Sequence, residues 1–182
     1  MEFKPSIYDS FMSIFEKNGL SFYRKDLLRK AKGHVLEIGP GTGANLDYYN
    51  FNIISKITFL EPEFNKTLKS KIKFNNFDFI EGDVQNLPFK DNSFDTIVFT
   101  LIFCSIKDYE KGLNEIKRVL KKNGIVLFIE HIEPKNQPLK GLFNFTNPLW
   151  NKIANGCNLN RNTLDYIENV GFKIESKNYF FK

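Results

Sequence analysis

The stretch His34-Val35-Leu36-Glu37-Ile38-Gly39-Pro40-Gly41-Thr42-Gly43-Ala44 constrains this chain more than any other. An aliphatic, β-branched run meets an acidic residue and then three glycines at alternate positions. Such a run reads as a buried strand that breaks into a tight loop and opens a helix. Glycine is needed where backbone turns sharply and lies close to a ligand. Amides at the following helix N-terminus can face polar or anionic groups. The implied chemistry is binding of a nucleoside-bearing cofactor. The loop alone leaves its identity open. A dinucleotide site is written Gly-x-Gly-x-x-Gly, with an acidic residue about 20 positions on. Here Gly43 comes one place early, and Ala44 stands where the last glycine would be. A nicotinamide or flavin site, another nucleoside cofactor and a purely structural turn all remain compatible with the loop.

The rest of the chain places that loop in a repeating pattern. Helices are predicted over Ile7–Lys17 and Leu20–Ala31, the second ended by Gly33. Strands follow at His34–Ile38, Ile57–Leu60, Phe77–Ile80, Phe94–Phe99 and Ile125–Ile129. Helices lie between them at Gly43–Tyr49, Lys66–Ile72 and Tyr109–Leu120. The last of these has an apolar stripe of Leu113, Ile116, Val119 and Leu120, with Asp108 as N-cap and Asn123-Gly124 as terminator. Pro134 to Ile153 reads as irregular and aromatic, with one short helix around Leu149. Asn160 is placed as the cap of a final helix carrying Leu164, Ile167 and Val170, and Phe172–Phe180 as a sixth strand. Alternating strands and helices imply a doubly wound, mainly parallel α/β sheet with helices on both faces. Ligands bind such sheets at the carboxyl ends of the strands. Glu37–Gly43, Glu61, Asp83 and Thr100–Cys104 all fall at strand ends, so they are expected to converge on one cleft.

Composition narrows the class. The chain has 182 residues and 42% hydrophobic residues, including 20 Phe, enough for one domain with a real core. Cys104 and Cys157 are far apart and match no zinc spacing, so no metal is expected and both are read as reduced thiols of a cytoplasmic protein. No apolar run approaches the length of a membrane span, and Met1–Ser10 lacks the apolar core of a signal peptide. The net charge is +5. The lysines are dispersed, as in Lys66, Lys69, Lys71 and Lys73, which suits a solvated face and argues against a nucleic-acid partner.

The block Gly82-Asp83-Val84-Gln85-Asn86-Leu87-Pro88-Phe89-Lys90-Asp91-Asn92-Ser93-Phe94-Asp95 settles the cofactor class. It resembles the segment around the fourth strand of class I S-adenosylmethionine-dependent methyltransferases. Glu37-x-Gly39-x-Gly41-x-Gly43 resembles their first motif, and Arg118-Val119-Leu120-Lys121-Lys122-Asn123-Gly124 the end of a characteristic helix. Thr100-Leu101-Ile102-Phe103-Cys104-Ser105-Ile106, Glu130-His131, Asn147-Pro148-Leu149-Trp150 and Gly156-Cys157-Asn158-Leu159-Asn160-Arg161 resemble the small microbial relatives of the methyltransferase-like thiol S-methyltransferases. The Rossmann-like fold of that class ends in a seventh, antiparallel strand, which this sequence lacks. The membrane-anchored animal members carry a long apolar N-terminal segment, which is also absent from this sequence. An uncovered sheet edge would leave room for an oligomer.

The resemblance implies S-adenosylmethionine as cofactor, held by Glu37, Gly39, Gly41, Gly43, Glu61, Asp83, Val84 and Leu101. The three glycines would pass under the methionine part and Glu37 would orient its amino group. Glu61 would take the ribose hydroxyls, because a carboxylate accepts both bonds. Asp83 would take the adenine amine, with Val84 beside the ring and Leu101 near the adenine or sulfonium. His131, after the fifth strand, is the candidate base. The resemblance divides a single domain, 1–182, into a helical cap (1–33), a cofactor core (34–131) and an acceptor side (132–182). The expected reaction is methyl transfer to a small, apolar acceptor such as a thiol. The alternatives are a quinone-type carbon, a lipid amine, or a non-catalytic cofactor-binding module.

Overall fold

A computed structural model describes residues 16–63, 66–134, 136–154 and 156–180. Its centre is a five-stranded parallel sheet in the order β3-β2-β1-β4-β5, made of β1 (Gly33–Ile38), β2 (Ile54–Glu61), β3 (Phe77–Glu81), β4 (Phe94–Thr100) and β5 (Leu120–Ile129). The helices are α1 (Ser21–Leu28), α2 (Lys66–Lys71), α3 (Tyr109–Val119), α4 (Gln137–Ile153) and α5 (Thr163–Asn169). Side chains alternate across the sheet, as a pleated strand requires. Leu36, Ile38, Ile97 and Phe99 pack with Leu113, Ile116 and Val119 of α3 and Ile167 of α5. Val35, Ile57, Phe59 and Val98 pack with Leu28 of α1 and Leu68 of α2 on the other face. Both faces are covered, which explains the nearly unbroken apolar strands. Pairing aligns Ile80, Leu60, Ile38, Phe99 and Phe128 in one row near the strand tips.

The five strands and the α1, α2 and α3 helices follow the sequence pattern, and five expectations need correction. The predicted Gly43–Tyr49 helix is a series of turns ending in a single 3₁₀ turn, Leu46–Tyr48. The Asn45 side chain is drawn under the loop, so the chain closes with i to i+3 bonds such as Leu46 N to Gly43 O. Asn123-Gly124 does not end α3. The helix stops at Val119, Leu120 already pairs with Phe94, and the pairing slips before resuming at Thr96 and Ile125.

Residues 137–153, expected to be mostly irregular, form one helix of 17 residues. Pro138 sits at its first turn, where no amide is needed, and Asn136 caps Leu139 N at 3.3 Å. Pro148 lies inside the helix. The turn around it is tied down by asparagines on one face: Asn147 Oδ1 accepts from Leu159 N at 2.7 Å, and Asn151 Nδ2 donates to Gly156 O at 2.9 Å. Asn160 is not the cap of α5. It donates to Asn144 Oδ1 on α4, and Asn162 holds the N-cap position. Finally, 172–180 is not a strand. Phe172 and Ile174 pack against the core, but the alternation then dissolves into Glu175-Ser176-Lys177-Asn178, all exposed, which offer no apolar face to hold a ladder. Among the described residues, the outer edge of β5 therefore has no neighbouring strand. The predicted Ile7–Lys17 helix lies almost wholly outside the described residues; Glu16–Leu20 forms a single π-helical turn leading into α1.

Candidate cofactor and acceptor site

The carboxyl ends of the strands bring together residues that are distant in sequence. Gly39 N donates to Leu60 O at 2.9 Å, and Gly82 N to Glu61 O at 2.9 Å, so the loops after β1 and β3 continue the sheet's bonding at both flanks of β2. Gly39, Gly41 and Gly43 adopt φ of 68°, 55° and 82°. At Gly39 a Cβ would lie 2.5 Å from Ile102 Cγ2, so the loop lies too close to the β4 end for a side chain. At Gly41 the backbone is bent the same way, but a Cβ would meet nothing within 4 Å among the described residues. Glu61 Oε1 accepts from Gly41 N at 2.5 Å, and burial raises its pKa. Asp83 is exposed and caps the 3₁₀ turn Val84–Asn86, accepting from Gln85 N at 2.8 Å and Gln85 Nε2 at 2.7 Å; Val84 is buried beneath it. Leu101 takes the left-handed φ of 57°, uncommon for a branched side chain. Its amide donates to Ile129 O at 2.7 Å, which fixes the turn where β4 ends.

A buried polar network underlies the glycine loop. Glu37, 1% exposed, accepts from Asn45 Nδ2 at 2.7 Å and from Tyr49 Oη at 2.8 Å. Asn45 Oδ1 accepts in turn from Arg24, whose Nη2 lies 2.5 Å from Glu16 Oε1. Arg24 Nη1 and Asn45 Nδ2 each also reach Thr100 Oγ1 at 3.3 Å. Burial pushes Glu37 up to about 7, against the pull of its two hydrogen bonds and of Arg24. Sequence reasoning singled out Glu37 and missed Arg24 and Asn45. The signal was present: Leu20, Arg24, Leu28 and Ala31 are spaced as one helical face and all are buried, so an arginine occupies a core position.

At the ends of β4 and β5, three segments meet. Arg161 donates to Phe103 O at 2.9 Å and to Ile106 O, holding the turn after β4. Asn158 donates to Cys104 O through both its backbone N, at 3.1 Å, and its Nδ2, at 2.9 Å. Glu130 Oε1 accepts from the amides of Ile102 and Phe103 at 2.9 and 3.0 Å, and burial raises its carboxyl to about 8. His131 Nε2 lies 2.8 Å from Asn158 O, and burial lowers its pKa. Helix α4 presents Leu142, Phe145, Leu149 and Ile153 outward, at 54%, 85%, 69% and 54% exposure, an apolar stripe at helical spacing.

Residues 36–128 match the methyltransferase domain. The chain belongs to that family. It is 35% identical over 146 residues to thiol S-methyltransferase TMT1B of Rattus norvegicus, covering 76% of this chain and 59% of the relative. It is 37% identical over 90 residues to the demethylmenaquinone methyltransferase of Staphylococcus haemolyticus, covering 47% of this chain and 38% of that protein. The chain thus spans about three fifths of the length of the TMT1B relative. Among solved structures, the YcgJ protein of Bacillus subtilis superposes with a TM-score of 0.65 at 24% identity, covering 82% of this chain and 64% of that one.

S-adenosylmethionine is the methyl donor that this family implies, and the methyltransferase cradle fits it. The Glu61 carboxylate at the β2 end holds the Gly41 amide, and Glu37 at the β1 end lies buried beneath the glycine loop. The sequence-predicted cofactor residues Glu37, Gly39, Gly41, Gly43, Glu61, Asp83, Val84 and Leu101 all lie on the loops and strand tips of one sheet edge. His131 lies on the same edge, bonded to the Asn158 carbonyl at the ends of β4 and β5. A cavity of about 330 Å³ elsewhere is lined by Glu133, Lys140, Asp165 and Lys177 and includes none of these residues. No helix among the described residues is long and apolar enough to cross a membrane.

Proposed function

We propose that this chain transfers the methyl group of S-adenosylmethionine to a small, apolar thiol. The observation that carries the reading is the left-handed glycine loop held by Glu61 at the β2 end and underlain by Glu37 at the β1 end, on the same strand ends as the Cys104, Glu130 and Asn158 segments that resemble thiol methyltransferases. When bound, the cofactor supplies a methyl group on a sulfonium that is already a good leaving group. The chain's own residues bind, align and dry the site. Glu37 meets the cofactor's ammonium directly or through water. Glu61 takes the ribose hydroxyls, whose two hydrogen bonds stabilise the ionised form against the burial that raises its pKa. Asp83 takes the adenine amine and Val84 lies against the ring. The left-handed turn at Leu101 holds that side chain against the reacting end of the cofactor; strain of this kind is characteristic of ligand clamps.

A free thiol has a pKa near 8.5 and already supplies a few per cent of thiolate at neutral pH. His131 is better suited to anchoring than to base catalysis. Its Nε2–H is spent on the Asn158 carbonyl, and burial holds the ring neutral. Quinone-type carbon is the second reading, supported by the demethylmenaquinone methyltransferase similarity, which covers less than half of this chain.

The test is a methyl-transfer panel of small alkyl and aryl thiols, demethylated quinones and amines, with the product identified by mass spectrometry. Thiols should turn over, with a rate that rises with pH toward each thiol's own pKa. Turnover of quinones or amines with an inert thiol panel refutes the acceptor.

A further inference from the structure

One group of soft donors stands apart from the cofactor cradle. Cys104 Sγ, Cys157 Sγ and a ring nitrogen of His131 all lie within 4.8 Å of one another. They come from the turn after β4, the residues after β5 and the loop between α4 and α5, so no sequence spacing announces them. Both thiols are buried, at 1% and 6% exposure.

The surroundings hold each donor in place. The two bonds from Asn158 to Cys104 O clamp the segment after Cys157 against Cys104. A carbonyl oxygen only accepts, so the contact between His131 Nε2 and Asn158 O places the ring proton on Nε2 and leaves the lone pair on Nδ1. That tautomer, with the outer N–H held by a carbonyl, is the one a metal-bound imidazole takes. Beside the cluster, Glu130 Oε2 is buried and has no hydrogen-bond partner among the described residues. The Arg161 guanidinium nearby is spent on the carbonyls of Phe103 and Ile106. Ordinary packing accounts for two buried cysteines as small hydrophobes. It does not account for an imidazole nitrogen within 4.8 Å of both sulfurs, or for the buried Glu130 carboxyl beside them.

The spacing fits a tetrahedral ion. Zn–S bonds of about 2.3 Å and Zn–N bonds of about 2.0 Å set donors roughly 3.5–3.8 Å apart. Donors within 4.8 Å reach that separation by side-chain rotation of about 1 Å. We propose that Cys104, Cys157 and His131 bind one divalent cation of the zinc class, whose charge the two thiolates balance. On loading, each thiol releases its proton to solvent and becomes a thiolate ligand, while the imidazole binds neutral. Three protein donors leave one position for a fourth. The ion would tie the α4–α5 loop to the carboxyl edge of the sheet, whatever the methyl acceptor is.

The test uses the full chain without a polyhistidine tag, reduced and stripped of metal, then titrated with Co²⁺. About one equivalent should bind, giving a thiolate charge-transfer band and the visible absorption of tetrahedral cobalt. Zn²⁺ should displace it and raise the melting temperature by mass action. Cys157→Ala and Cys104→Ala should each lose most of the thiolate band. Either variant that fails to fold leaves the wild-type titration to decide. A reduced wild-type protein that gives no thiolate band overturns the proposal, as does a band that persists at full intensity in a folded Cys157→Ala variant. A cysteine pair that readily forms a disulfide, and takes no cobalt after reduction, also overturns it.

Discussion

Glu37 is a buried acid that the cradle holds at a thermodynamic cost, and the cost is measurable. Its pKa is about 7 in the folded chain against 4.5 when unfolded, a difference of 2.5 units. At about 1.36 kcal/mol per unit, this amounts to about 3 kcal/mol. The folded state holds the proton more tightly, so between pH 4.5 and 7 it binds more protons than the unfolded chain. Stability from this group is therefore highest below 4.5, falls by about 1.4 kcal/mol per unit across the window, and is constant above pH 7. Glu37→Gln removes the titration while nearly keeping the shape. The amide oxygen still accepts from Asn45. The amide nitrogen requires Tyr49 Oη to accept instead of donate, a demand that a protonated carboxyl makes equally. Urea unfolding of both proteins from pH 5 to 8, without cofactor, should show the difference growing in favour of the variant by about 2–3 kcal/mol. Any constant offset reflects repacking, so only the pH dependence counts. A difference that stays flat would mean that the buried Arg24 already holds Glu37 ionised at pH 5, and that the network is an ion pair rather than a strained acid. The same titration predicts that S-adenosylmethionine binds more tightly as pH rises through the window, because its ammonium favours the ionised carboxylate.

Two further predictions separate holding the fold from holding the cofactor. Gly39→Ala combines a left-handed φ with a Cβ placed 2.5 Å from Ile102 Cγ2 and should cost about 2–4 kcal/mol in a denaturant melt. Gly41→Ala has the same kind of φ but no clash with any described residue, so it should cost only about 1 kcal/mol in that melt while weakening S-adenosylhomocysteine at least roughly tenfold in titration calorimetry. Glu61→Ala should leave folding nearly intact and lose about 2–3 kcal/mol of cofactor affinity, with Glu61→Gln losing less. Unchanged affinity in a folded Glu61→Ala protein would remove the ribose assignment.

What was legible in the sequence was whatever a local period or a local backbone demand encodes. β-Branched and aromatic runs marked the strands because the three central ones, β1, β2 and β4, are buried on both faces. The three glycines marked the loop because all three take a left-handed φ, and at Gly39 a Cβ would also run into Ile102. The asparagine face of α4 was not legible. Asn144, Asn147 and Asn151 read as helix-weakening residues until their partners near Asn158 are known, and those partners lie across a turn. The donors of the Cys104, His131 and Cys157 cluster were each visible, but pairwise spacing rules cannot join residues that only the sheet edge assembles. Arg24 belongs between these cases. Its place on an apolar stripe shows that it is buried, and a buried guanidinium must have acceptors. The sequence therefore demanded a polar network under α1, and Glu37, at the end of a strand that α1 covers, was an acid able to anchor it. Reading an apolar stripe for its one charged member would have located the Glu37–Asn45–Arg24 chain from the sequence alone.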